Sequence, residues 1–119
     1  MKSKTLRKFV TERDILPLVE EWAKENNFRF QVDEEGGLNC YKIGWVTSAP
    51  IFVHIEKRED GYRLEAMLKA DAFAQLTNFF TAPPEIALDS GEGLMEWERQ
   101  GARKLVNTLL KILEIEPIE

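Results

Sequence analysis

Four short runs of alternating apolar and polar residues occupy the stretch from 28 to 69. Successive side chains of a strand point to opposite faces, so this alternation predicts strands that each bury one face. Turn-forming residues separate the runs at Glu34–Gly37, Thr47–Pro50 and Asp60–Gly61. The stretch therefore predicts a four-stranded antiparallel β-meander. Its apolar face would carry Phe28, Phe30, Val32, Tyr41, Ile43, Trp45, Ile51, Val53, Ile55, Leu64, Ala66 and Leu68.

The registers of the meander follow from matching apolar residues across each turn. A two-residue loop at Asp60–Gly61 sets Ile55 opposite Ala66. The same matching sets Tyr41 opposite Ile55 and Phe30 opposite Tyr41. Because a one-residue slip moves every side chain of a strand to the other face, these registers also decide which residues the outer face is predicted to carry.

Two amphipathic helices are predicted to cover the apolar face of the meander. Asp14 is a suitable N-cap and Pro17 fits the first turn, so we expect a helix over 15–26. A second apolar stripe, ended by Pro117, predicts a helix over 98–114. The stripes consist of Ile15, Leu18, Val19, Trp22 and Ala23 in the first helix and of Ala102, Leu105, Val106, Leu109, Ile112 and Leu113 in the second.

The remaining segments have weaker patterns. Asp71 can cap a short helix over 72–80, and a short strand over 85–89 would extend the sheet. Residues 94–97 are either a further short strand, which we favour, or the entry of the second long helix. Residues 1–13 have no clear period, so they are expected to be a flexible arm or an edge strand.

The whole chain, 1–119, is interpreted as a single α+β domain in which one face of an antiparallel meander lies under two helices. Its predicted order of elements and its acidity resemble those of small secretion-chaperone-like domains, from which the fourth meander strand is a departure. This resemblance implies partner binding without catalysis.

Composition narrows the classes of function. The 16 Lys and Arg against 21 Asp and Glu give a formal charge of −5, which argues against nucleic-acid binding. The basic residues within 2–8 leave an anionic partner as a minor alternative. Cys40 is the single cysteine and can form neither an intrachain disulfide nor a thiolate zinc site. Together with the lack of a signal-peptide pattern and of a membrane-spanning apolar run, this predicts a cytoplasmic protein without membrane contact.

No enzyme motif is found, so neither catalysis nor a cofactor is expected. One cluster on the predicted outer face has chemical potential: Glu56 lies opposite Glu65, and His54 lies two residues along the strand. Two carboxylates and an imidazole so placed could hold a divalent metal or exchange a proton. The competing interpretation is a solvated sheet face on which Arg58 and Arg63 neutralise both acids.

The predicted outer face also carries apolar residues between its charged ones, and these favour a function in protein–protein interaction. The chain is interpreted as a small non-catalytic protein-interaction module that binds a protein partner, or a second copy of itself as a homodimer. The contact would use the outer sheet face or the helix and loop of 72–84. A metal or acid–base site at His54, Glu56 and Glu65 is the alternative. The predicted binding residues are Val46, Phe52, Met67, Lys69 and Phe79.

Overall fold

The structure is a computed structural model that describes residues 5–42, 50–69, 85–88 and 96–119. Within these ranges six strands form one antiparallel sheet and two helices accompany it, so the predicted α+β class with an antiparallel sheet is confirmed. The strands are β1 Thr5–Phe9, β2 Arg29–Val32, β3 Leu38–Lys42, β4 Ile51–Arg58, β5 Gly61–Lys69 and β6 Glu85–Ala87; the helices are α1 Ile15–Glu25 and α2 Glu96–Ile112.

The sheet is wider than the predicted four strands. Its order is β1-β5-β4-β3-β2, and β6 pairs with β5 beside β1. Phe9 of β1 stacks on Tyr62 with ring centroids 5.3 Å apart. The Oγ1 of buried Thr5 accepts a hydrogen bond of 2.8 Å from the N–H of Leu88, next to β6. Of the two interpretations of residues 1–13, residues 5–9 therefore form the edge strand.

The β4–β5 hairpin turns one residue earlier than predicted. Arg58 pairs with Gly61 across Glu59 and Asp60, so Ile55 lies opposite Leu64 rather than Ala66. A Cβ on Gly61 would lie 2.5 Å from the carbonyl oxygen of Phe9. Because Gly61 has no side chain, β1 can approach β5 closely at this position. Gly61 was predicted to lie within the turn, but it is the first residue of β5. The displacement of two residues preserves the faces of both strands.

β3 is turned over relative to the prediction. Leu38 pairs with Val32 on one side and with Ile55 on the other. Both registers differ from the predicted ones by an odd number of residues, so Leu38 and Cys40 lie on the inner, buried face and Tyr41 lies on the outer face. The cause is a short turn in which the N–H of Asp33 donates to the carbonyl of Gly37 at 2.9 Å.

Both long helices agree with the sequence. The carboxylate of Asp14 accepts the N–H of Leu16 at 3.2 Å, which caps α1 as predicted. α2 begins at Glu96, so at residues 96 and 97 the favoured strand is wrong and the alternative, a helix entry, is correct. Residues 94 and 95 lie outside the described residues. β6 confirms part of the strand predicted over 85–89, and the helix predicted over 72–80 lies outside the described residues.

The core lies between the helices and the inner face of the sheet. The indole N–H of Trp22 in α1 donates to the Oγ1 of Thr108 in α2 at 2.8 Å, and its ring lies 4.5 Å from that of Phe28. Asn107 exchanges two hydrogen bonds with the backbone of Ile118, which fixes the C-terminal segment against α2. Neither described helix is long and apolar enough to cross a membrane. The buried cluster comprises Ile15, Val19, Trp22, Ala23, Phe28, Leu38, Cys40, Val53, Ile55, Leu64, Ala66, Leu68, Leu88, Ala102, Val106, Leu109, Leu110, Leu113 and Ile118.

Candidate functional site

The outer face of the sheet is the face that α1 and α2 do not cover, since the core residues of both helices cluster with the inner-face side chains. Alternation from the observed registers assigns its members. On the three central strands they form three cross-strand rows. The outer face carries Leu6, Lys8, Arg29, Gln31, Asn39, Tyr41, Phe52, His54, Glu56, Arg58, Arg63, Glu65 and Met67.

An aromatic row crosses the middle of this face. Tyr41 and Phe52 are direct cross-strand partners, and their rings stack at 5.6 Å with an angle of 15° between the ring planes. The guanidinium of Arg29 lies 5.9 Å from the centre of the Tyr41 ring. Met67 continues the row opposite Phe52 and is only 5% exposed. The row therefore combines aromatic, cationic and thioether groups in register.

A polar row begins at the β2–β3 turn. Oδ1 of Asp33 accepts the N–H of Gly37 at 2.7 Å and the N–H of Glu35 at 3.0 Å. Its Oδ2 accepts the side-chain amide of Asn39 at 3.1 Å. Hydrogen bonds first from Gly37 and then from Asn39 hold the pKa of Asp33 below its ordinary value of 3.8. The carboxylate therefore stays ionised and fixes the turn and Asn39 together.

Asn39 in turn orients His54. Because the amide nitrogen of Asn39 donates to Asp33, its Oδ1 is the acceptor that faces Nδ1 of His54 at 2.7 Å. The proton of this bond therefore belongs to Nδ1 of the imidazole. Nε2 points along β4 to Glu56, with 3.9 Å between it and Oε2. Asp33 and Asn39 thus determine which ring nitrogen of the half-buried His54 donates to Asn39 and how the imidazole ring is oriented.

Guanidinium groups neutralise the two glutamates of the face. Nε of Arg58 donates to Oε1 of Glu56 at 3.0 Å, and this bond is the main reason that the pKa of Glu56 lies below its ordinary value of 4.5. Nη2 of Arg63 lies 3.3 Å from Oε1 of Glu65. Glu56 lies opposite Arg63, and His54 lies opposite Glu65, so the predicted pairing of the two glutamates is wrong.

The observed register changes the chemistry that these residues can perform. The residues that the structure describes contain no group of three or more His, Cys, Asp or Glu that could hold a metal ion. Cys40 lies on the inner face, where burial raises the pKa of its thiol to about 12. A thiol of that pKa is protonated at neutral pH and is a poor nucleophile. His54 therefore has an orienting partner, and the thiol of Cys40 lies on the opposite face of the sheet.

The predicted binding residues divide into two groups. Phe52 and Met67 lie on the outer face as expected and are direct partners. Lys69 is the last residue of β5, and its side chain lies outside the described part, as do Val46 and Phe79. The structure brings together Phe52, Met67, His54, Glu56 and Glu65.

Tyr41, Asn39 and Asp33 were not among the predicted site residues. The predicted registers placed Asn39 opposite Val32 on the apolar face, and this burial of an amide was a signal against those registers. Asp33, three residues before Gly36, is also a typical start of an Asx-type turn. Together these two signals favour the observed register, which brings Asn39 and His54 to the same face.

Comparison with known proteins found no matching protein-family model, no similar curated protein and no similar solved structure.

Proposed function

We propose that this chain is a non-catalytic protein-interaction module that binds a protein partner through the outer face of its sheet. The observation that carries the proposal is the aromatic row, in which Tyr41 and Phe52 stack beside Arg29 on the face opposite both described helices. Tyr and Arg, with other large aromatics, are the residue types that contribute most to protein–protein interfaces.

The polar row supports the same proposal. Rigid side chains lose less conformational entropy on binding than mobile ones. Asp33, Asn39 and His54 are already joined by hydrogen bonds, and Glu56 is held by Arg58. The face therefore offers fixed donors and acceptors next to an aromatic centre, as expected of a surface that recognises one partner.

The metal or acid–base alternative has less support. Arg58 and Arg63 compete with any cation for Glu56 and Glu65. A proton-transfer role for His54 also needs a reacting group and a concave site, and an open sheet face seldom supplies the latter. Partner binding requires neither.

The test first identifies the partner and the contact region by crosslinking, and then measures the binding affinity. A photo-crosslinking amino acid at position 41 would identify the partner in the source cells, and position 10 would serve as the control. Binding of the purified partner would then be measured by calorimetry for the wild type, Tyr41→Ala and Val10→Ala. Val10 is 79% exposed and lies beyond the end of β1, away from the aromatic row.

We expect Tyr41→Ala to weaken binding about tenfold to thirtyfold, as for an interface hot spot, and Val10→Ala to leave it unchanged. Crosslinks between two copies of the chain, with a mass that doubles in light scattering, would identify the partner as a second copy. Equal effects of both substitutions, or crosslinks from position 10 alone, would contradict the proposal.

A further inference from the structure

A cavity of about 170 Å³ lies on the other side of the sheet, between the start of α1 and the hairpin end of β4 and β5. Three buried aliphatic side chains form part of its wall: Ile15 from α1, Leu38 from β3 and Ile55 from β4. Apolar cavities of roughly 150 Å³ accept a benzene ring. The space therefore fits one aromatic ring.

The remaining lining residues include Tyr62, which packs against a neighbouring aromatic ring, and Leu16, which is partly exposed to solvent. Tyr62 lines the cavity, and its ring stacks on that of Phe9. Leu16 lies at the rim with 38% of its surface exposed. A ligand that entered here would cover this apolar surface, and burying it favours binding.

Two charged side chains, Asp14 and Lys57, line the cavity, and they differ in their present interactions. The carboxylate of Asp14 caps α1 by accepting the N–H of Leu16, and the positive end of the α1 dipole offsets its negative charge. Lys57, which pairs with Tyr62 across the strands, is exposed and makes no ion pair with any described residue. The charge left for a ligand is therefore the ammonium of Lys57.

We propose that this cavity binds a small aromatic carboxylic acid. Its ring lies against Ile15, Leu38 and Ile55, and its carboxylate pairs with the ammonium of Lys57. The site is separate from the outer face, so this inference does not depend on the proposed partner binding.

Phenylacetate is the probe, and phenylacetamide, which has nearly the same shape and no charge, is its matched control. Both would be titrated to about 10 mM, which covers the millimolar affinity usual for ligands of this size. The readout is the methyl ¹³C–¹H spectrum, which follows Ile55 and Leu38 directly. We expect phenylacetate to shift both methyl groups more strongly than phenylacetamide does.

The variant Lys57→Met keeps the apolar stem and removes the charge, and Lys104→Met on the exposed face of α2 is its control. Both are surface substitutions with little expected effect on folding. Lys57→Met should weaken phenylacetate binding about threefold to fivefold, as for an exposed ion pair, and leave phenylacetamide unchanged. The Lys104 variant should bind both compounds as the wild type does.

Unshifted Ile55 and Leu38 methyl groups at the highest concentration would overturn the cavity as a binding site. Equal affinity of the two compounds, or no effect of Lys57→Met, would overturn the assignment to a carboxylic acid. Loss of the partner affinity measured for Tyr41→Ala would leave these outcomes unaffected, because that substitution lies on the other face.

Discussion

His54 donates its Nδ1 proton to the side-chain oxygen of Asn39 over 2.7 Å, across the boundary between β3 and β4. The amide of Asn39 is anchored in turn by Asp33 in the β2–β3 turn. One turn, one strand residue and one imidazole are therefore a single hydrogen-bonded unit, and the protein's own hydrogen bonds order the polar half of the outer face.

The first prediction concerns Asn39. Asn39→Leu removes the acceptor of the His54 proton and the donor to Asp33, so the half-buried imidazole and the exposed carboxylate each lose a partner. We expect the free energy of unfolding to fall by about 1–3 kcal/mol in urea titrations. Gln31→Leu, at the paired position on β2, is the control and should change it by less than about 0.5 kcal/mol. Equal losses in the two variants would contradict a special role for Asn39.

The second prediction concerns the loss of folding stability at low pH. The pKa values of Asp33 and Glu56 lie below their ordinary values of 3.8 and 4.5 in the folded protein, so the unfolded chain takes up protons first as the pH falls. The stability from these groups is thus present above pH 4.5 and is lost as the pH falls through their folded pKa values.

Urea midpoints measured between pH 7 and pH 3 would show this loss. The double variant Asp33→Asn with Glu56→Gln should be less stable than the wild type at pH 7 and should lose less on acidification. Glu12→Gln, an exposed change just before α1, is the control and should follow the wild-type pH profile. A double variant with the full wild-type slope would disprove the assignment.

The third prediction contrasts two glycines. Gly61 has a φ of +133° and lies against the Phe9 carbonyl, so Gly61→Ala adds both backbone strain and a clash. A loss of about 2–4 kcal/mol is expected. Gly101 lies inside α2 with open space around it, so Gly101→Ala should instead stabilise by about 0.5–1 kcal/mol. Thermal melting of both variants would check these opposite signs.

The fourth prediction concerns Cys40. Its thiol is buried, and burial raises its pKa to about 12. Alkylation by iodoacetamide at pH 8 should therefore be at least about a hundredfold slower in the native protein than in urea. The native rate should follow the rate or extent of unfolding. Rapid labelling of the native protein would show that β3 does not bury this side chain.

The sequence correctly predicted the helices and strands whose apolar pattern extends over many residues. α1 and α2 follow from long apolar stripes and from the Asp14 cap, and β4 and β5 follow from alternation. The faces of β4 and β5 were correct even though the turn was misplaced, because a displacement by two residues conserves alternation.

The orientation of β3 could not be read from its apolar residues alone. Both of its alternating sets contain large or apolar side chains, with Leu38 and Cys40 in one and Tyr41 in the other. The Asp33 turn and the cost of burying Asn39 decide between them, and both depend on pairing with other strands. Both register errors affected the candidate site: the predicted orientation of β3 separated Asn39 from His54, and the misplaced β4–β5 turn paired Glu65 with Glu56 in place of His54.

The hydrogen bond from Leu88 to Thr5 joins positions 83 residues apart, and β1 pairs with the middle of β5. During synthesis on the ribosome, β1 emerges first yet has no neighbour until β5 has followed it. Contacts of such long sequence separation slow folding, because a large loop must close before they form. The nascent chain therefore carries an unpaired β1 until all of β5 has been synthesised.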